Sequence, residues 1–274
     1  DKIKNFIQEI RTDIHPNHNR MVWSPQNRIA FTAFEGYSDG LYLFDMNDNY
    51  VERLTDANDL SSLSFSPDGR KILFGKEAEN YTMAVYDIET RKQIVFPGDR
   101  ANHLYDACWT SDGNIVGFLP AYETDEKELS IFQPPLFHFA VLFDSEFNQQ
   151  KILCRVPEVE DIANNTKEDL IAIVGRNEEV VYGDDTVYLL NVQAAELEVL
   201  FGGTREFNYR FPSWSSEGQK IAYVAASYKD SKDAEITVPA NLEVFDIKNK
   251  IRRRVVNSDI NYGGILKPLW QPKQ

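Results

Sequence analysis

The stretch Phe65-Ser66-Pro67-Asp68-Gly69-Arg70-Lys71-Ile72-Leu73-Phe74 returns along the chain, and a chain built on such a repeat can fold in few ways. Related copies are Trp23-Ser24-Pro25-Gln26-Asn27-Arg28-Ile29-Ala30-Phe31, Trp109-Thr110-Ser111-Asp112-Gly113-Asn114-Ile115-Val116 and Trp214-Ser215-Ser216-Glu217-Gly218-Gln219-Lys220-Ile221. A weaker copy, Asn165-Thr166-Lys167-Glu168-Asp169-Leu170-Ile171, lacks the aromatic and the Gly, and Leu269-Trp270-Gln271-Pro272 is a partial one. The clearest copy, Phe65 to Phe74, reads as an apolar strand ending in an aromatic residue, a turn in which Pro67 presets φ and Gly69 accepts φ > 0, and a second apolar strand.

A second element recurs in phase. Strands end in Phe44-Asp45, Tyr86-Asp87, Phe143-Asp144, Leu190-Asn191 and Phe245-Asp246, each followed by a polar turn and another strand. Asp or Asn at that point can bond the backbone two or three residues on and start a hairpin. Every unit therefore holds four short strands, a to d. Four-stranded units at a period of roughly 40–55 residues predict an all-β propeller of antiparallel blades. Alternation at period two outweighs the helical spacing of Ile3, Ile7, Ile10 and Ile14.

The two ends bear on blade number. Asp1-Lys2-Ile3-Lys4-Asn5 resembles Asp246-Ile247-Lys248-Asn249, so Phe6 to Thr12 reads as a d strand without its c strand. Leu266 to Trp270 reads as an a strand without its b strand. The expectation is a six-bladed propeller whose sixth blade is shared by the termini, within a single domain over residues 1–274. The alternative is five full blades with extra terminal strands.

The aromatic-Ser-Pro-Asp-Gly-x-x-Ile core, the Tyr/Phe-Asp hairpin and the closing Leu54-Thr55-Asp56 resemble the repeat of the TolB-type, WD-like β-propellers. The Gly-His and Trp-Asp pairs of WD-repeat proteins are missing. This resemblance implies the fold strongly and the function hardly at all, since relatives include periplasmic scaffolds, propellers attached to serine peptidases and polysaccharide lyases. It implies a periplasmic or secreted setting by likeness only, with the cytoplasm left open.

Composition narrows the partners. A formal net charge of −14 lacks the basic footprint of a nucleic-acid binder, so no nucleic-acid partner is expected. No apolar run is long enough to span a bilayer, so no membrane insertion is expected. Cys108 and Cys154 read as free thiols rather than a disulfide, and with four scattered His they make no zinc set. No hydrolase elbow, phosphate loop or other catalytic signature is present, and no catalytic or metal residue is assigned.

Adjacent strands are antiparallel, so the a–b and c–d turns share one face and the b–c and d–a segments the other. The second face carries insertions at residues 121–137 and 228–240 and is rich in acids, Asp184 and Asp185 being the densest pair. Insertions on one face of a repeat array mark a binding face. The predicted binding residues there are His103, Tyr105, Tyr122, Arg205, Tyr209, Arg210, Tyr228 and Tyr262, chosen because Tyr and Arg are enriched at interfaces. The expected function is a non-enzymatic, monomeric scaffold that binds a protein or peptide, of basic character, through this acidic face. No cofactor is expected, with a divalent cation as the alternative ligand. The competing readings are a propeller enzyme acting on a carbohydrate or small ester, and an accessory domain of a longer chain.

Overall fold

The computed structural model describes residues 14–35, 38–57, 63–76, 82–98, 103–104, 106–122, 137–165, 167–176, 185–202, 207–227 and 240–258. These form five four-stranded sheets, each made of four strands consecutive in sequence. Blade 1 holds β1 (Ile14–Trp23), β2 (Arg28–Glu35), β3 (Ser38–Asp45) and β4 (Tyr50–Asp56). Blade 2 holds β5 (Ser64–Phe65), β6 (Lys71–Lys76), β7 (Thr82–Asp87) and β8 (Lys92–Val95). Blade 3 holds β9 (Asp106–Trp109), β10 (Ile115–Ala121), β11 (Phe137–Phe143) and β12 (Gln149–Val156). Blade 4 holds β13 (Glu158–Asn165), β14 (Leu170–Arg176), β15 (Asp185–Asn191) and β16 (Glu196–Gly202). Blade 5 holds β17 (Phe207–Trp214), β18 (Lys220–Ser227), β19 (Ala240–Asp246) and β20 (Ile251–Ser258).

The protein is thus a five-bladed propeller, and the expected six-bladed ring is corrected. Each complete copy of the two turn elements folds into its own blade, and β1 completes blade 1 without a strand from the other end of the chain. The first strands of all five blades contribute to the wall of one axial cavity of about 350 Å³. The fragments read as a sixth blade, Phe6 to Thr12 and Leu266 to Trp270, lie outside the described residues.

Both repeated turns are held by side chains that bond the backbone. In the a–b turn of blade 2, Ser66 Oγ accepts the Lys71 N–H at 2.9 Å and donates to Asp68 Oδ1 at 2.6 Å, which also accepts the Arg70 N–H. Each a–b turn has one residue of positive φ: Asn27, Gly69, Gly113, Asp169 and Gly218. Each c–d hairpin has another: Asn49, Arg91, Phe147, Ala195 and Lys250. The residue opening each hairpin accepts a backbone N–H at 2.8–3.0 Å, through Asp45, Asp87, Asp144, Asn191 and Asp246. The degenerate blade 4 turn obeys the same rule, with Asn165 Oδ1 accepting the Lys167 N–H and Asp169 in the left-handed position.

The core lies between sheets rather than within one. Leu41 and Leu43 of blade 1 join Ile72, Phe74 and Tyr86 of blade 2, while Phe31, Tyr42 and Phe44 form a cluster on the other face of blade 1. Similar layers join blades 2 and 3, 3 and 4, and 4 and 5. Inner and middle strands are therefore buried on both faces, and the outermost strands β4, β8 and β16 contain no fully buried residue.

Two outcomes follow for the turns. Gly218→Ala should destabilise by about 2–3 kcal/mol, because φ is +75° and the new Cβ would meet Asn165 Nδ2 at 2.5 Å. Gly113→Ala, at φ +83° but facing open space, should cost about 1 kcal/mol; urea unfolding midpoints separate the two. The Ser66 and Thr110 hydroxyls hold Asp68 and Asp112 below their ordinary 3.8. Lowered folded values give stability that is present above 3.8 and lost as pH falls through the folded values. Stability should therefore drop below pH of about 4, and less steeply in Ser66→Ala and Thr110→Val.

Candidate functional site

The b–c and d–a end of blades 4 and 5 carries a closed ring of charges. Arg176 ends β14, Asp185 opens β15, Glu160 lies near the start of β13, and Arg210 lies in β17. Arg176 Nη2 meets Glu160 Oε1 at 2.7 Å, and Arg210 Nη2 meets Glu160 Oε2 at 3.4 Å. Arg210 Nη1 donates to Asp185 Oδ2 at 2.7 Å, and Arg176 Nε lies 3.9 Å from Asp185 Oδ1. Two cations and two anions alternate around this ring. Glu158 is a fifth member, with Arg176 Nη1 at 3.9 Å. Arg176 and Asp185 are also paired across the ladder, so the ring closes the base of the b–c segment 177–184.

Burial sets the electrostatics. The Asp185 side chain is 1% exposed, and loss of solvent raises its carboxyl above the usual range, opposed by Arg210. Glu158 is raised for the same reason, opposed by Arg176. The backbone is tight here: a Cβ on Gly175 would meet the Glu158 carbonyl at 2.6 Å. A Cβ on Gly202, where φ is +137°, would meet Thr186 Cα at 2.5 Å.

Below the ring, Asp161 of β13 accepts the Ile162 N–H at 2.9 Å and, across the blade boundary, the Phe211 N–H at 2.9 Å. Phe211 has φ 56° at a register shift in β17. Of the described non-glycine residues with positive φ, it alone lies outside the repeated turns. A bulky residue held there marks strain imposed by its surroundings, which concentrates at sites of function.

Blade 3 adds a second group at the same end. His138 in β11 is buried and accepts the Val159 N–H on Nδ1 at 3.2 Å. Burial lowers it to about 4, with a contribution from nearby His103, so it is neutral at physiological pH. The Arg155 guanidinium lies 3.9 Å from the Phe137 ring centroid. Among the described residues, no group of three or more His, Cys, Asp or Glu side chains is arranged to hold a metal ion.

Of the predicted binding residues, Tyr105, Arg205, Tyr228 and Tyr262 lie outside the described residues, as do the centres of both insertions. His103 and Tyr122 are half-buried at the blade 3 end. Arg210 is in the charge ring, whereas the Tyr209 ring is 1% exposed and packs on Phe201 and Tyr223. Asp184 is outside the described residues, and Asp185 is an internal ion-pair partner. Glu158, Glu160 and Arg176 were missed by sequence reasoning. Nothing in the repeat singles them out, since b strands of other blades also end in charged residues, Glu35 and Lys76. Cys108 and Cys154 are free, with burial raising both thiols.

Several solved structures share this fold. TolB from Acinetobacter baumannii matches with a TM-score of 0.60 and 20% identity, over 85% of this chain and 52% of that one. An oligogalacturonate lyase in complex with manganese matches at 0.60 and 13%, over 90% and 67%. An acylaminoacyl peptidase from Pyrococcus horikoshii matches at 0.56 and 15%, over 87% and 39%. The chain spans about half the length of the TolB structure. No family model and no curated protein matches the sequence.

Arg210→Met should strand the buried Asp185 carboxylate and destabilise by about 2–4 kcal/mol in chemical unfolding. It should also raise the Asp185 titration further, read by NMR of the side-chain carboxyl, because the cation that opposes the burial effect is gone. At these identities the likeness extends to architecture, and the chain has the TolB-type propeller fold.

Proposed function

We propose that this propeller is a non-enzymatic, monomeric interaction module over residues 1–274 that binds a basic protein or peptide segment through its b–c and d–a face. The observation that carries the reading is the charge ring at the base of the blade 4 b–c segment. Its two arginines are matched by Glu160 and Asp185, which leaves Glu158 only loosely compensated. A carboxylate held in place beside acidic loops favours a cationic side chain, and a preorganised acceptor spares the ordering cost of binding. The acids of the 121–137 and 228–240 insertions add to the same field. His103, Tyr105, Tyr122, Arg205, Tyr209, Arg210, Tyr228 and Tyr262 belong to this proposal as the residues that contact or support the partner.

A periplasmic or secreted setting belongs to the proposal too and rests on the TolB likeness alone. The names of the lyase and peptidase neighbours describe those proteins and assign no reaction to this chain.

The test is partner capture followed by charge reversal. A partner retained by the immobilised chain should bind at least tenfold more weakly to Glu123→Lys/Glu126→Lys/Glu128→Lys, with unfolding midpoint unchanged. Affinity should also fall as salt rises. Binding indifferent to both would overturn the proposal.

A further inference from the structure

The opposite face holds a second set of unspent groups. The axial cavity of about 350 Å³, within the roughly 300–1,000 Å³ of ligand pockets, opens among the a–b turns. Its described wall includes Trp23, Phe65, Asn164, Ser213 and Trp214 and contains no charged side chain, in a chain of net charge −14. Ser66 and Pro67 also border a cleft of about 260 Å³ between the turns of blades 2 and 3, which reaches Trp109 and Lys71. The two spaces therefore meet over the Ser66-Pro67 turn.

A buried, unpartnered polar side chain belongs to each space. Ser64 is 8% exposed and its Oγ has no hydrogen-bond partner; it lines the axial cavity. Trp109 is 2% exposed and its Nε1–H has none; it lines the cleft. The equivalent indole of blade 5 shows what is missing: Trp214 Nε1 donates to the Ala163 carbonyl of the neighbouring blade at 2.9 Å. Unmet groups of this kind destabilise a fold when nothing completes them. The polar groups of the cleft turn elsewhere: Asp68 Oδ1 and Asp112 Oδ1 accept from their own turns and Ser111 Oγ donates to Asp169, and none of them accepts from the Trp109 indole. Each innermost strand also ends its sheet, so its axial edge lacks a ladder partner.

We infer that this groove, from the blade 2–3 cleft over Pro67 into the axial cavity, binds an extended, uncharged polypeptide segment of a partner. A peptide carbonyl completes the Trp109 indole in the cleft, whose lining also holds Asp68, Lys71 and Asp112, while backbone groups of the segment meet Ser64 Oγ and the open strand edges and its neutral side chains match the uncharged wall of the axial cavity. This site is separate from the acidic face and takes the opposite chemistry.

Nitrogen-15 spectra of the full chain test it. The chain has four Trp, and the Trp109 indole signal is assigned by its loss in Trp109→Phe. The probes are acetylated, amidated pentapeptides of Ala, Val, Ser, Gly and Pro, against matched sets carrying one Lys or one Asp. The uncharged set should shift the Trp109 signal saturably. Trp109→Phe should weaken binding about fivefold. Pro67→Asp, which places a charge on the shared rim outside the core, should weaken it about tenfold and carries the test if Trp109→Phe does not fold. Glu158→Gln/Glu160→Gln should leave peptide binding unchanged, so failure here is distinct from failure of the acidic-face reading. An unmoved Trp109 signal, equal binding of the charged sets, or an indole N–H in contact with water alone would overturn the inference.

Discussion

The fold depends on one local interaction repeated in every blade: a side-chain oxygen at the start of a turn that accepts a backbone N–H two to five residues on. Ser66 and Ser215 do this for a–b turns, and Asp45, Asp87, Asp144, Asn191 and Asp246 do it for c–d hairpins. Each such bond fixes where a strand reverses, hence the register of the next strand, and a one-residue slip would turn its apolar face outward. Interblade packing then follows from alternation. The hydrophobic layers between sheets exist because each turn delivers strands in phase.

The blades are tied to each other unevenly by polar contacts. At the turn face, Asp169 of blade 4 accepts both the backbone N–H and the hydroxyl of Ser111 in blade 3, and Asn165 donates to Gly218 of blade 5. At the other face, Asp161 and Asp185 of blade 4 reach into blade 5. Blade 4, the most degenerate in sequence, is therefore bound on both sides. Its departures from the repeat are the residues that do the binding: Asn165 stands where other blades have Ser or Thr, and Asp169 where three others have Gly. Asn164, which opens a glycosylation sequon, spends its amide on the Trp109 carbonyl.

The blade architecture was legible in the sequence because it is written in short-range signals: Pro and Gly in turns, Asp before hairpins, period-two alternation. Blade number was not, because Asp1 to Asn5 mimics a c–d turn and Leu269 to Pro272 an a–b turn. A local mimic carries no information on whether the rest of a blade exists. The site was only half legible for a related reason. Tyr209 and Arg210 are neighbours in β17, yet one ring is enclosed among aromatics and the other side chain joins the charge ring. In a strand, adjacent residues face opposite ways, and residue type alone does not say which face meets a neighbouring blade. Glu160 and Arg176 come together only through the β13–β14 ladder.

Each blade being complete in itself has a mechanical consequence. In the described chain, no hydrogen-bonded ladder crosses from one blade to the next, so the ring is joined by side-chain packing and a few polar ties. Such an assembly behaves as a linear stack of repeats curved around the axial cavity, with stability made of blade terms and joint terms. Hydrophobic layers are shared by blades 1 and 2, 2 and 3, 3 and 4, and 4 and 5. Each shared layer is a joint of its own, so a substitution that thins one layer should loosen that pair of blades before either blade loses a strand.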